Sequence, residues 1–384
     1  MRAVVRAPLV VLLPVAVVRT ARLVDAVRSP DTAGFIRAGR AVLSPAALDV
    51  FADPWLQVGP VLVVVMGVWA VMGEVMGVSP FLLSGAAHGA LVVWLGDVVT
   101  RRWVPADRDP TAARWAVGVA LVPGGLMERS FTPGHEEDLV IVLALAAAAP
   151  AAARARPVRL GLLLALGFGL KAWAVLGGGL VLAGRRAGRT VLAAAVAAGT
   201  VLGMYAPFVL WGEVNTLEFS WGIQHGASLL GDLARAWGLS DWGLRVVQAA
   251  VAGLAGAAVA LRRDAPPLAA VVVAVGVRLL LEPHLLYYYC SPFLLLTVLW
   301  AWTSPTVRRT WPRMVVLAGV PVFLGHSYFV GAAVLQVTEA LLYAGVITWV
   351  LLAERRPRRG VASCGPTEPP PASSRVPAGR RDER

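Results

Sequence analysis

Lysine is almost missing from this chain of 384 residues. A single one, Lys171, stands among 35 basic residues, and the other 34 (35 − 1) are arginine. Charge is scarce too, at 15% of residues against 58% hydrophobic, and mean hydropathy is +0.69. So little charge excludes an ordinary soluble domain of this length, whose surface needs more polar cover. Only two cysteines occur, Cys290 in an apolar stretch and Cys364 near the end, so neither a disulfide framework nor a thiol site is implied. Cys/His metal spacing is lacking, as is an internal repeat. The net charge of +12 raises the question of nucleic acid, but the arginines fall in short clusters between apolar runs, as in cytoplasmic membrane loops. No nucleic-acid partner is expected.

What is present is a series of long apolar runs, at about 3–18, 58–78, 80–99, 112–127, 139–154, 160–183, 190–212, 244–261, 267–281, 287–303, 314–330 and 333–352. Each is long enough to enter a hydrocarbon core of about 30 Å. The expectation is an all-α polytopic membrane protein occupying residues 1–353. It would have about 11–12 transmembrane or re-entrant helices and short juxtamembrane helices in two polar segments, 19–55 and 213–243. Residues 354–384, rich in Pro, Ser and Arg, read as a disordered basic cytoplasmic tail. The arginine-rich, Ala/Val/Gly-rich composition suits a GC-rich bacterial source and a multi-pass plasma-membrane protein.

Arginine placement sets the expected orientation. The clusters at Arg355–Arg359, Arg308–Arg309, Arg262–Arg263, Arg185–Arg189, Arg154–Arg159 and Arg101–Arg102 should face the cytoplasm. Segment 160–183 then carries arginines at both ends, which a simple span cannot satisfy. Two half-length helices meeting near Gly169–Ala172 satisfy it, each of about 11 residues and roughly 16 Å, with Lys171 at the tip. Segment 19–55 is placed outside, against its own arginines, and 58–78 must then cross incompletely.

Four stretches put ionisable groups where membrane segments rarely tolerate them. Lys171 comes first: mid-membrane cations are costly and mark functional sites, with snorkelling the bland alternative. A Lys171→Met chain is expected to be at least as heat-stable as the parent. The second stretch, RSPDTAGFIRAGRAVL, holds Asp31 before an amphipathic run. There, capping by Asp31 or Ser29 and catalysis by Asp31 stand as equal readings. The third, TPGHEEDLVIVLAL, sets His135, Glu136, Glu137 and Asp138 at a span's start, where the helix dipole favours acids. Carboxylates also suit Mg²⁺ or Mn²⁺, but without DxD spacing a divalent metal is not favoured and no cofactor is expected. The fourth, LEPHLLYYYCSPFLLL, combines Glu282 and His284 with three tyrosines that read as an interfacial belt, and Arg278 lies one turn deeper. His284 reads equally as a proton or phosphate group and as a loop histidine. His88, Glu74 and Asp97 also fall inside apolar runs, with no role suggested.

In this order, the four stretches resemble the GT-C superfamily of membrane glycosyltransferases that use polyprenyl-phosphate sugars. SPDTAGFIRAGRAVL is similar to the family's first extracytoplasmic loop, opened by an aspartate that Asp31 matches. Asp138 in GHEEDLV matches a downstream acidic residue. LALGFGLKAWAVL resembles a G-x-x-x-G-x-K pattern with Lys171 at its lysine, and EPHLLYYYCSPFLL resembles a late P…YY…P stretch. The spacing is closest to glycosyltransferase family 87, which uses polyprenol-phosphate-mannose and has a late-loop histidine for which His284 is the candidate. FADPWLQVGPVL departs from the Tyr/Pro-Pro run usual after the first loop, and the histidine lacks the common Ser-Trp-x-His context.

The resemblance implies extracytoplasmic transfer of a hexose such as mannose from a polyprenyl-phosphate-linked donor to a lipid, glycan or protein acceptor of the cell envelope. Asp31 would be the general base, and Lys171, His284, Asp138, Arg278 and Glu136 would bind substrate. The rival classes are a transporter or flippase of an anionic lipid or solute, and a lipid-linked glycan polymerase or ligase.

Overall fold

A computed structural model of the protein describes residues 7–105, 108–220, 236–262, 264–283, 286–307, 309–326 and 329–354. Among these, every regular element is helical. The α-helices are α1 (Pro8–Val27), α2 (Pro30–Val42), α3 (Pro60–Met76), α4 (Pro80–Trp103), α5 (Thr111–Leu121), α6 (Leu126–Phe131), α7 (Glu136–Ala153) and α8 (Pro157–Leu170). They continue with α9 (Ala187–Trp211), α10 (Asp241–Ala260), α11 (Pro267–Leu280), α12 (Cys290–Thr303), α13 (Thr310–His326) and α14 (Ala332–Ala353). Tighter 3₁₀ segments cover Ala47–Ala52, Ala172–Gly184 and Thr216–Glu218. Proline opens α1, α2, α3, α4, α8 and α11, where its fixed φ suits the first turn and its missing N–H leaves nothing unpaired.

Helix α7 is the axis of the bundle. Apart from its last residue, Ala153, it is buried along its whole length, enclosed by α4, α8, α11, α12 and the long 3₁₀ segment. The outermost helices expose apolar side chains instead: Val191, Leu202, Leu210 and Trp211 of α9, and Val337 and Leu341 of α14. A helix apolar all round at the centre and apolar helices facing outward suit a lipid environment. Four helices are long and apolar enough to cross a membrane: Pro80–Trp103, Ala187–Trp211, Asp241–Ala260 and Val334–Ala353. The other apolar helices are shorter; α11 and α12, at 14 residues each, reach only about 21 Å.

The first helix runs past the expected edge near residue 18 and takes Arg19 and Arg22 into its last turns. It packs antiparallel on α4, where Gly85 and Gly89 lie against Thr20 so closely that a Cβ on either would collide with it. Helix α3 starts at Gly59, whose N–H bonds Leu170 O at 2.8 Å, and ends beside Ser79, whose hydroxyl reaches Asp25 Oδ1 at 2.5 Å. Both its ends thus lie at one end of the bundle, beneath α2, as an incompletely crossing 58–78 requires.

Segment 160–183 breaks at Lys171, where the backbone turns extended (φ −163°, ψ 138°). The chain then folds back on α8: Gly167 faces Ala174, and Gly177 faces Leu164. The limbs are longer than expected, because α8 begins at Pro157 and the returning limb is 3₁₀. At about 2.0 Å per residue, its 13 residues extend roughly 26 Å. The Gly177–Gly179 run, a poor α-helix former, accounts for the tighter winding.

These connections give the bundle two chemically distinct ends. Arg102, Arg154, Arg156 and Arg159 gather at one end, and Arg185 there donates to Arg262 O at 2.5 Å. Asp31, Asp138, Lys171 and Arg278 lie at the other. Of segment 213–243, residues 213–220 and 236–243 are described, with a 3₁₀ turn at Thr216–Glu218 and the start of α10 at Asp241; residues 221–235, and the expected tail beyond Glu354, lie outside the described residues. In sealed vesicles, with Cys290 and Cys364 replaced by alanine, Ser44→Cys and Arg189→Cys should be modified from opposite sides by an impermeant thiol reagent. Labelling of both from one side would contradict the two-ended arrangement.

Candidate functional site

The site is built where α2 meets the loop before α7. Ser29 caps α2, its hydroxyl accepting from Thr32 N–H at 3.1 Å, so capping does not fall to Asp31. Gly134 brings the loop onto this cap. Its φ of +94° is left-handed, and a Cβ there would strike the Ser29 and Thr32 side chains. The close approach seats His135 Nε2 2.9 Å from Asp31 Oδ2. Asp31 remains about one-third exposed (32%) while His135 is buried.

His135 joins Asp31 to the apex of the hairpin. Its Nδ1 lies 3.0 Å from Glu137 Oε1, and Lys171 Nζ approaches the same oxygen at 2.8 Å and Asp138 Oδ1 at 3.3 Å. The 3.3 Å between Lys171 Nζ and His135 Nδ1 is the approach of two donors converging on one carboxylate oxygen. Trp173 completes the array, its indole N–H donating to Asp138 at 2.8 Å. Burial and the Lys171 ammonium oppose a charge on His135. Glu137 and the hydrogen bonds to Asp31 and Glu137 outweigh them and raise its pKa to about 9. With His135 charged, two cations face three carboxylates.

Lys171 therefore neither snorkels nor stands unpaired. It neutralises carboxylates that the start of α7 buries, which reverses the expectation for Lys171→Met: that change leaves Glu137 with His135 alone and Asp138 without a cation in the interior. Glu136, expected among the binding residues, joins none of these ion pairs. It is 2% exposed, with Oε1 lacking a hydrogen-bond partner. Successive helical residues point about 100° apart, so Lys171 can sit between Glu137 and Asp138 but not reach Glu136. His135, Glu137 and Asp138 offer ligand atoms within 4.8 Å of one another, close enough for a divalent ion. The Lys171 ammonium stands among them and supplies that positive charge.

Beside Lys171 opens a cavity of about 270 Å³, lined by Phe168, Lys171, Trp173, Arg245, Arg278 and Tyr289 among others. Arg278 lies over the rings of Trp173 (5.3 Å) and Tyr289 (5.0 Å) and pairs with Glu282 Oε2 at 3.4 Å. Arg245 also pairs with Glu282, which Gln248 steadies at 3.0 Å. Asp31 is not on this wall; it lies on the far side of the His135–Lys171 array. His284 lies outside the described residues. The tyrosine run is not a simple surface belt, since Tyr288 is 6% exposed and stacks on His135 with ring centroids 4.3 Å apart.

Of the site residues named from sequence, Asp31, Asp138 and Lys171 come together, Arg278 faces the same cavity as Lys171, and Glu136 stands apart. Sequence reasoning underrated His135 and Glu137 and missed Trp173 and Arg245. A signal for the first two was present, because a lone lysine deep in apolar sequence requires buried carboxylates nearby. The three other ionisable groups noted inside apolar runs, Asp97, Glu74 and His88, have local partners. Asp97 pairs with Arg101 (2.6 Å) and Arg114 (2.5 Å), Glu74 with Arg40 (2.9 Å), and His88 Nδ1 lies 3.1 Å from the Ser84 hydroxyl. Comparison with protein-family models, curated proteins and solved structures finds no match.

Two predictions follow from this geometry. Lys171→Met should destabilise the protein by about 3–5 kcal/mol, the cost of removing one partner of a buried ion pair, read as a large drop in melting temperature. A parent-like melting temperature would show that the pair is not needed. The second concerns pH. A histidine whose pKa is raised on folding, from 6.5 to about 9, contributes stability that is full below the unfolded value. That contribution is lost as pH rises through about 9. Thermal stability should therefore fall between pH 7 and 9.5 in the parent and less steeply in His135→Gln. Identical slopes would contradict a charged His135.

Proposed function

We propose that the protein is a polytopic membrane glycosyltransferase of the GT-C type. In this reading, a sugar passes from a polyprenyl-phosphate donor to an acceptor hydroxyl at the end of the bundle opposite the arginine clusters. The observation that carries the proposal is the cavity beside Lys171. Its wall combines cationic groups suited to a phosphate with the faces of Trp173 and Tyr289, which suit a sugar ring. The Asp31–His135 pair stands immediately beyond Lys171. Helix α2, which falls within the expected outer segment 19–55, lies at this end of the bundle and is in keeping with that reading.

The chemistry requires a carboxylate to take the acceptor's proton as its oxygen attacks the anomeric carbon. Asp31 is the acid of the cluster with an exposed edge, and His135 Nε2 holds its other oxygen in place at 2.9 Å. The C–O bond to phosphate breaks as the new glycosidic bond forms, and inversion by a single displacement is the simplest course. Negative charge gathers on the departing phosphate, where Lys171 and Arg278 would stabilise it. Lys171 enters this role already paired, so a phosphate shares the ammonium with Glu137 and Asp138. Arg278, stacked between two rings and held by Glu282, offers a fixed donor fork.

The test is transfer by the purified, reconstituted protein from a radiolabelled polyprenyl-phosphate hexose to envelope lipid extract. Because Ser29 caps α2, Asp31→Asn should fold normally and retain thermal protection by the donor lipid. Its turnover should fall at least about 100-fold. Turnover near that of the parent would remove Asp31 from the chemistry. No transfer by the parent with any donor or acceptor fraction would count against the class itself.

A further inference from the structure

The bundle carries a second charged site at its opposite end. Arg102 at the end of α4, Arg154 at the end of α7, and Arg156 and Arg159 at the start of α8 line one cavity of about 130 Å³. Its apolar floor includes Ala147 and Ala151 of α7, both buried. Among the described residues, none of the four guanidinium groups is ion-paired with a carboxylate; nearby Asp97 is taken by Arg101 and Arg114.

General features of membrane proteins explain only part of this. Helix C-termini favour cations, which suits Arg102 and Arg154. Arg156 and Arg159 lie at the N-cap and first turn of α8, where the helix dipole is positive and disfavours them. Four guanidiniums and the positive end of a 14-residue helix around one small space repel one another. An anion relieves that repulsion.

Two local devices hold the group in place. Pro150 has no N–H for the carbonyl of Ala146, and the indole N–H of Trp103 takes that carbonyl at 2.9 Å, fixing the turn that carries Arg102. Between α7 and α8, Ala155 is left-handed (φ 52°) in a position that glycine usually fills. Arg156 N–H closes the turn on Ala151 O at 2.9 Å, and Ala155 N–H on Ala152 O at 3.1 Å. A left-handed alanine is strained by its Cβ, and the turn it makes sets Arg154 and Arg156 beside each other.

We propose that this cavity binds a phosphate group, with an anionic phospholipid headgroup and a free phosphate as its two sources. A basic pocket between helices on the face that the arginines assign to the cytoplasm suits such a headgroup. The proposal does not depend on the transferase reading, because none of its residues belongs to the Lys171 site.

The experiment uses thermal protection of the full-length protein in detergent. The probes are phosphatidylglycerol, phosphatidylcholine and inorganic phosphate, each titrated separately. Phosphatidylglycerol should stabilise the parent and phosphatidylcholine should not. The exposed pair Arg154→Gln/Arg159→Gln should match or exceed the parent's melting temperature without ligand, since it relieves the repulsion, and raise the half-saturating phosphatidylglycerol concentration roughly 10- to 30-fold. The pair Arg186→Gln/Arg189→Gln removes the same charge from the same end but not from the cavity, and should leave the titration unchanged. Protection by inorganic phosphate to the same plateau, lost in the first pair alone, would identify a soluble ligand. Protection by phosphatidylglycerol only would identify the headgroup. Equal weakening in both pairs, no weakening in either, or no protection of the parent by any phosphate would overturn the proposal.

Discussion

One ammonium decides how the interior of this protein is arranged. Helix α7 begins with three consecutive acids, all buried, and continues as an apolar helix through the centre of the bundle. Buried carboxylates are tolerated only when paired or protonated. Lys171 delivers the pairing, and it does so only because the chain breaks there. An unbroken helix through 160–183 would leave the lysine on one flank of a long rod. The extended residue at 171 instead turns the hairpin apex toward the start of α7, where Nζ meets Glu137 and Asp138. The close contact of α2 with Gly134 and the stacking of Tyr288 on His135 complete the surroundings of the same charges.

This coupling gives the site its chemical character. Asp31 is held by an imidazole whose charge depends on Glu137, and Glu137 depends on Lys171. Substitution at any of the four therefore alters the electrostatics of the others. A low local dielectric strengthens each link. Arg278, Arg245 and Glu282 form a separate group across the cavity, tied to the first through Trp173. The cavity thus has two charged walls with aromatic faces between them, an arrangement suited to a ligand with an anionic group and a ring.

Much of the fold was legible in the sequence because it depends on local rules. Apolar runs became helices, and prolines opened six of them. Arginines at both ends of 160–183 required the break that falls at Lys171. The number of crossings was less legible, since α11 and α12 are apolar yet short, and burial within the bundle accounts for them as well as lipid does. In the site, Asp31, Asp138 and Lys171 were singled out as ionisable groups at or inside apolar runs, and the motif resemblance then set Asp138 apart from the acids beside it. The choice between Ser29 and Asp31 as cap depended on a hydroxyl geometry that spacing alone does not decide. Glu137 was passed over for Glu136 because only the rotation of α7 about its axis, set by packing, determines which acid faces the hairpin. Tyr288 looked like part of an interfacial belt because nothing local places a histidine against its ring.

The central claim is that Lys171 and Glu137 form one buried unit on which the site's geometry rests. A double-mutant cycle on thermal or denaturant stability tests it most directly. Lys171→Met alone leaves a carboxylate without its cation, and Glu137→Gln alone leaves a cation with less than its due. Together they remove the Glu137 charge along with the ammonium, and only Asp138 is left short of a cation. The account predicts that the combined variant is more stable than the sum of the two losses implies, with a coupling of about 1–3 kcal/mol. Strictly additive losses would contradict it and reduce Lys171 and Glu137 to independent neighbours.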